Sequence, residues 1–167
     1  MPCRRSMPRT VPIIFSPRSR PARLSSHARV GLGALALGCL VLLFTAASIR
    51  PSPSGVGTHE GLGLRECQFL ETTGLPCPSC GMTTSWAWFV RGNLAASFYI
   101  QPMGFVLALG AAMTLWGAGY GAVTGRNPAP LLRRLPGKGI LLGLLGFAIV
   151  AWGWKIFIHL HGLDGWG

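Results

Sequence analysis

Uncharged apolar runs alternate with basic connections along this chain, and the length of each run limits what it can become. Val30 to Ile49, VGLGALALGCLVLLFTAASI, is twenty residues without a charge, closed by Arg29 and Arg50. As a helix it covers roughly 30 Å, the thickness of a bilayer's hydrocarbon core. Gly81 to Val90 is also uncharged but only ten residues long, too short to cross as a helix. With Trp86 and Trp88 suited to the headgroup level, it predicts a re-entrant or interfacial helix over about 81–91. Between Arg91 and Arg126 lie 34 uncharged residues, with Pro102 among them. Proline is tolerated in the first turn of a helix, where its missing N–H costs nothing. The second span is therefore expected at about 100–123, after a short connecting or helical piece at 92–99. A third is expected at about 139–160, where sixteen uncharged residues, GILLGLLGFAIVAWGW, precede Lys155. That lysine is expected to snorkel to the interface, beside an aromatic belt of Trp152, Trp154 and Trp166.

The pattern predicts an all-α integral membrane protein with three transmembrane helices and one short re-entrant or interfacial helix. Residues 1–29, rich in Pro, Arg and Ser, read as a disordered basic cytoplasmic tail. Residues 30–161 read as a single membrane domain with a cysteine loop at 64–92. A cleaved signal peptide fits the first run poorly. Signal cores run about 7–15 residues, and Thr45-Ala46-Ala47 is a poor cleavage site. Both Met1 and Met7 remain open as starts.

Charge adds an orientation. Fifteen Lys and Arg face four acidic residues, a formal net charge of +11, yet only 11% of residues are charged and 50% are hydrophobic. A basic soluble protein would point to nucleic acid; basic loops between apolar runs point instead to lipid, and no nucleic-acid partner is expected. Seven arginines precede the first span, and Arg126, Arg133, Arg134 and Lys138 lie between the second and third. Three spans place both clusters on one side, which the positive-inside rule makes cytoplasmic, with the cysteine loop outside. Four acids leave little room for hydrolytic chemistry. Glycines recur four apart at Gly117, Gly121 and Gly125 and at Gly139 and Gly143, a spacing that lets helices approach closely. Packing within the monomer is the first reading of those faces and self-association the second.

The candidate chemistry lies in CQFLETTGLPCPSCGMTTSW. Cys77 and Cys80, two residues apart, can form a tight disulfide or supply two metal thiolates, with Cys67 as a third partner. A helix starting just after Pro78 would lower the pKa of a nearby thiol, and Thr83, Thr84 and Ser85 are available to cap it. Cys39 reads as a packing residue of the first span, and Cys3 lies in the tail.

The run Gly74-Leu75-Pro76-Cys77-Pro78-Ser79-Cys80-Gly81-Met82-Thr83, with Cys67 ten positions before Cys77, resembles an uncharacterised bacterial membrane family. That family is catalogued as a domain of unknown function and carries a Cys-Pro-x-Cys-Gly signature. Its pattern continues through a Thr-Arg pair, a Gly before the next helix and an Asn-Pro at the helix start. Thr83, Gly92 and Pro102 fit, and Ala95 and Ala96 resemble the small residues that follow; Thr84 stands where Arg is usual and Gln101 where Asn is usual. The resemblance covers about residues 64–110 and implies a small multi-helix protein of the bacterial inner membrane, without an activity.

Three roles compete for the cysteines. The first in order is structural: a stiff turn, fixed by Gly74, Pro76, Pro78 and Gly81, in a protein with an assembly or partner-subunit role toward another membrane protein. The second is thiol–disulfide exchange by Cys77 and Cys80. The third is a metal site, zinc held by Cys67, Cys77 and Cys80 with His59 as a fourth ligand; outside that alternative no cofactor is expected.

Overall fold

A computed structural model of the chain describes residues 23–58, 63, 65, 67–126 and 137–166. Among these residues the protein is all-helical: α1 Ser26–Ser48, α2 Gln68–Thr73, α3 Met82–Val90, α4 Leu94–Ile100, α5 Pro102–Thr124 and α6 Gly137–Leu160. Helices α1, α5 and α6 have 23, 23 and 24 residues and are long and apolar enough to cross a membrane. They carry large side chains open to their surroundings, among them Leu37, Phe44, Trp116, Val123, Leu142 and Ile149. An apolar surface of that extent requires lipid around it. The chain is a membrane protein.

Local chemistry explains most of the boundaries. Helix α1 begins at Ser26, four residues before the expected start at 30, because the Ser25 hydroxyl accepts the Ala28 N–H at 3.3 Å. Arg29 therefore lies inside the helix instead of closing it from a tail. Pro102 opens α5 as its first residue, and Gly125 closes it in the left-handed region at φ 68°. The short helix expected at 81–91 is α3, and the piece expected at 92–99 is α4, capped by Asn93.

Helices α1 and α5 run antiparallel and pack along their length through small residues. Ala36 and Ala46 of α1 are buried, as are Ala108, Ala118 and Gly121 of α5. Arginines cover the C-terminal carbonyls of both. Arg29 Nε donates to Ala122 O (2.9 Å) and Nη2 to Val123 O (3.1 Å) at the end of α5. At the opposite end, Arg91 Nη2 donates to Ile49 O (2.7 Å) and Ala47 O (3.2 Å), and Nη1 to Ala87 O (2.7 Å). A cation on the orphan carbonyls of a helix end satisfies them and complements the dipole.

The glycine faces are used unevenly. Gly121 is buried and Gly125 lies under the Arg29 side chain, whereas a methyl group added at Gly117 or Gly143 would meet nothing within 4 Å. Packing within the monomer thus takes up part of one glycine row and leaves Gly117 and Gly143 open. Helix α6 joins the bundle mainly through its C-terminal part, where Ala151, Lys155 and Ile158 form one buried stripe. Lys155 does not snorkel: it is fully buried, because Asp164 folds back from the tail to pair with it at 2.8 Å.

Candidate functional site

Helix α2 starts directly after Cys67 and stops at Gly74, whose φ of 70° lets its N–H return to Leu70 O. The chain then reverses through Pro76, which is fully buried, into Cys77-Pro78-Ser79-Cys80. The Cys80 N–H bonds Cys77 O at 3.0 Å, which closes a four-residue turn with proline at its second position, where its fixed φ belongs. This turn puts both sulfurs on one side, with Cys77 Sγ and Cys80 Sγ 3.1 Å apart. Cys67 comes alongside, 3.5 Å from Cys80 Sγ, and all three sulfurs lie within 4.8 Å of one another.

Two spans hold the turn by its carbonyls. Gln101, fully buried just before α5, donates from Nε2 to Pro78 O at 2.8 Å. Trp152 of α6 donates from Nε1 to Pro76 O at 3.0 Å. Neither carbonyl belongs to a regular element, and buried carbonyls need donors, so the two side chains do what a neighbouring strand would do elsewhere. Gly81 follows at φ 83° and packs against the Gly55 carbonyl, Ile100 and the Lys155 stem; a Cβ there would come within 2.9 Å of Gly55 O. No larger residue fits both that conformation and that space.

The two turn cysteines face opposite surroundings. Burial raises the Cys77 thiol, but hydrogen bonds to its sulfur from the Ser79 hydroxyl, Cys80 and Cys67 outweigh this and hold it at about 7. Cys80 is buried, and desolvation together with its donation to Cys77 and Cys67 pushes it up to about 12. Cys77 is thus the more readily ionised thiol and Cys80 the one that keeps its proton.

Thr83, Thr84 and Ser85 do not cap α3. Its N-cap is Gly81, without a side-chain bond, and the helix starts at Met82. The Thr84 hydroxyl instead meets Thr58 Oγ1 at 2.6 Å in a buried pair, and Ser85 Oγ donates to Ser97 O at 2.8 Å under α4. Gly92, at φ 81°, turns the chain from α3 toward α4. His59 and Cys3 lie outside the described residues, and Cys39 sits on α1 away from the three-sulfur cluster.

A cluster that sequence reasoning missed sits behind Gly81. Asp164 takes Lys155 Nζ on Oδ1 at 2.8 Å and His159 Nδ1 on Oδ2, and Lys155 also reaches Gly55 O at 3.3 Å. The available signal was Asp164 itself, the one acid after Glu71, placed nine positions after the one lysine of a span. A cavity of about 540 Å³ opens in front of the cysteines, walled by Leu42, Ala46 and Ile49 of α1 and by Met82 and Trp86 of α3.

The model of a family described as Protein of unknown function (DUF2752) matches residues 67–115, from the first cysteine of the cluster into the middle of α5. The chain is similar to that family over this segment. The matched stretch holds the three sulfurs, Gly81, Gln101 and Pro102, the parts that form the turn and tie it to α5. No curated protein and no solved structure matches the chain.

Proposed function

We propose that the protein is a membrane thiol–disulfide oxidoreductase in which Cys77 is the exchanging thiolate, Cys80 resolves and Cys67 is a third exchange partner. One observation carries this reading: Cys77 and Cys80 lie 3.1 Å apart on a proline turn, with Cys67 3.5 Å from Cys80. Here three sulfurs converge beside a cavity, one favoured as thiolate and one as thiol, the division of labour that exchange requires. Exchange consists of attack by a substrate thiolate on Cys77 Sγ of the Cys77–Cys80 disulfide, which breaks that bond, leaves a mixed disulfide at Cys77 and releases Cys80 as a thiol. A second substrate thiolate then attacks the substrate sulfur of the mixed disulfide, forming the substrate disulfide and releasing Cys77 as the thiolate.

The same convergence favours a second reading, a metal held by Cys67, Cys77 and Cys80 with its remaining position toward the cavity. In either case the turn also ties α5 to α6 within the chain; an assembly or partner-subunit role toward another membrane protein is a separate reading. Loop charges support an N-terminus in the cytoplasm and a cysteine turn outside a bacterial inner membrane, where the surroundings are oxidising.

Intact cells treated with a membrane-impermeant thiol reagent, before and after mild reduction, test the reading. Exchange predicts labelling of Cys77 only after reduction, and a disulfide that equilibrates with glutathione buffers. Thiols that react only after a chelator strips stoichiometric metal would support the metal reading instead. A disulfide resistant to every redox buffer would leave the turn purely structural.

A further inference from the structure

We propose that the cavity in front of the cysteines binds the ring of a membrane quinone, which takes the electrons of the Cys77–Cys80 dithiol. This rests on the thiol–disulfide reading and names the acceptor. Among the described residues Cys67 and Cys39 remain, the first within the cluster and the second on α1, and they do not form a second pair that could receive the electrons. Either an external disulfide or an external two-electron carrier must do so, and the walls of the cavity select between them.

Leu42, Ala46 and Ile49 of α1 form one side of the cavity, and Leu42 is 55% exposed on the membrane-facing surface of that helix. The cavity therefore opens from lipid, where quinones reside, and not only from water. Its volume of about 540 Å³ suits a substituted ring. The cysteines and Ser79 line its other side, and Thr83, Thr84 and Trp86 complete it. Trp86 has an indole N–H that is buried without an acceptor among the described residues. An unpaired buried donor is costly, and a quinone carbonyl is the acceptor that an apolar site of this kind takes.

The step balances without a further oxidant or reductant. From the neutral dithiol the S–H bonds of Cys77 and Cys80 break and the S–S bond forms; where Cys77 is already ionised, its proton comes from water. Two electrons and two protons pass to the quinone, whose carbonyl oxygens become the hydroxyls of a hydroquinone.

The test uses the full chain, reduced, in lipid nanodiscs, with a short-chain ubiquinone as probe. Hydroquinone formation is followed by absorbance and thiol loss by alkylation. One disulfide and one hydroquinone are expected per chain, and none from Cys77→Ser. Trp86→Phe keeps the ring and removes the N–H, so it should raise the quinone KM about fivefold, the value of one hydrogen bond, with kcat little changed. Leu42→Trp, at a half-exposed position that tolerates bulk, should obstruct the cavity and raise KM further. Oxidised glutathione, tested on wild type, shows separately whether the dithiol can be oxidised at all. If glutathione oxidises the dithiol and the quinone does not, the acceptor proposal fails and the exchange reading stands. If neither oxidises it, both fail. If the quinone works and neither variant changes KM, the cavity is not its site and the proposal is overturned.

Discussion

Helices α1 and α5 are joined as membrane helices usually are, whereas α6 is joined by something else. In the first pair, Ala and Gly faces meet along the length of both helices, and an arginine covers each C-terminal end. Helix α6 exposes Leu141, Leu142, Leu145 and Ile149 in its first half and makes its contacts near its end. There the bonds are polar: Trp152 to Pro76 O, Trp154 Nε1 to Tyr99 O at 2.7 Å, and Lys155 to Gly55 O and Asp164. Lipid supplies no hydrophobic drive between helices, so a span whose glycine face meets no other helix depends on such bonds for its place. The cysteine turn is the joint between the two arrangements, since its carbonyls accept from Gln101 at the start of α5 and from Trp152 of α6.

The largest effect expected from breaking this contrast is at Gly55. Its φ of 70° excludes ordinary side chains, and a Cβ would collide with the backbone carbonyl of Asp164. Gly55→Ala should cost roughly 3 kcal/mol or more, because backbone rather than a flexible side chain must move. Gly143→Ala, in open space on α6, should fall within about 1 kcal/mol of wild type, on the stabilising side. Thermal unfolding in one detergent compares the two; equal midpoints would mean that the tail does not lock α6. Next comes Lys155→Met, which leaves Asp164 without its buried cation and should cost about 3 kcal/mol. Adding Asp164→Asn should recover most of that loss, since removing both charges removes the desolvation penalty. A double variant no better than the single one would show that the pair contributes by packing alone.

The three spans were legible because a bilayer imposes one length and disfavours charge: two were read from uncharged runs bounded by arginine and the third from one between Lys138 and Lys155. Helix α3 was legible for the complementary reason, a run too short to cross. The convergence of Cys77 and Cys80 follows from two-residue spacing and a proline, but nothing local places Cys67 beside them. That requires the reversal at Gly74. The fate of Lys155 was not legible. A lysine near a helix end has two physical outcomes, snorkelling or pairing, and only the return of the chain to bring Asp164 close selects the second. Trp152 reads by composition as an interfacial residue, and its partner is a backbone carbonyl, which leaves no trace in sequence.

Smaller effects separate the two ends of the α1–α5 pair. Both arginines are exposed, but the bonds of Arg91 tie the end of α1 to α3, while those of Arg29 reach α5 alone. Arg91→Ala should therefore cost about 2 kcal/mol and Arg29→Ala less than about 1 kcal/mol, measured by the same unfolding assay. Equal losses would mean that joining a second helix adds nothing to the first clamp.

Trp152→Phe should also change stability little, by about 1 kcal/mol for one hydrogen bond to Pro76 O. Its effect on chemistry should exceed its effect on stability. The Cys77 thiolate exists near neutral pH because Ser79, Cys80 and Cys67 are held within reach of its sulfur, and the turn that holds them is fixed at Pro76 and Pro78. In wild type the rate of alkylation at Cys77 should rise with pH to a plateau, half-maximal near about 7. Releasing the Pro76 carbonyl loosens the turn, weakens those donors and lets the thiol return toward its ordinary value of 9.0, so the midpoint should move upward and the rate at pH 7 should fall. Gln101→Leu, which frees the Pro78 carbonyl from the α5 side, should move it in the same direction. If the midpoint moves in Gln101→Leu and not in Trp152→Phe, α5 alone sets the reactivity of the turn, and α6 is bound to the site without tuning it.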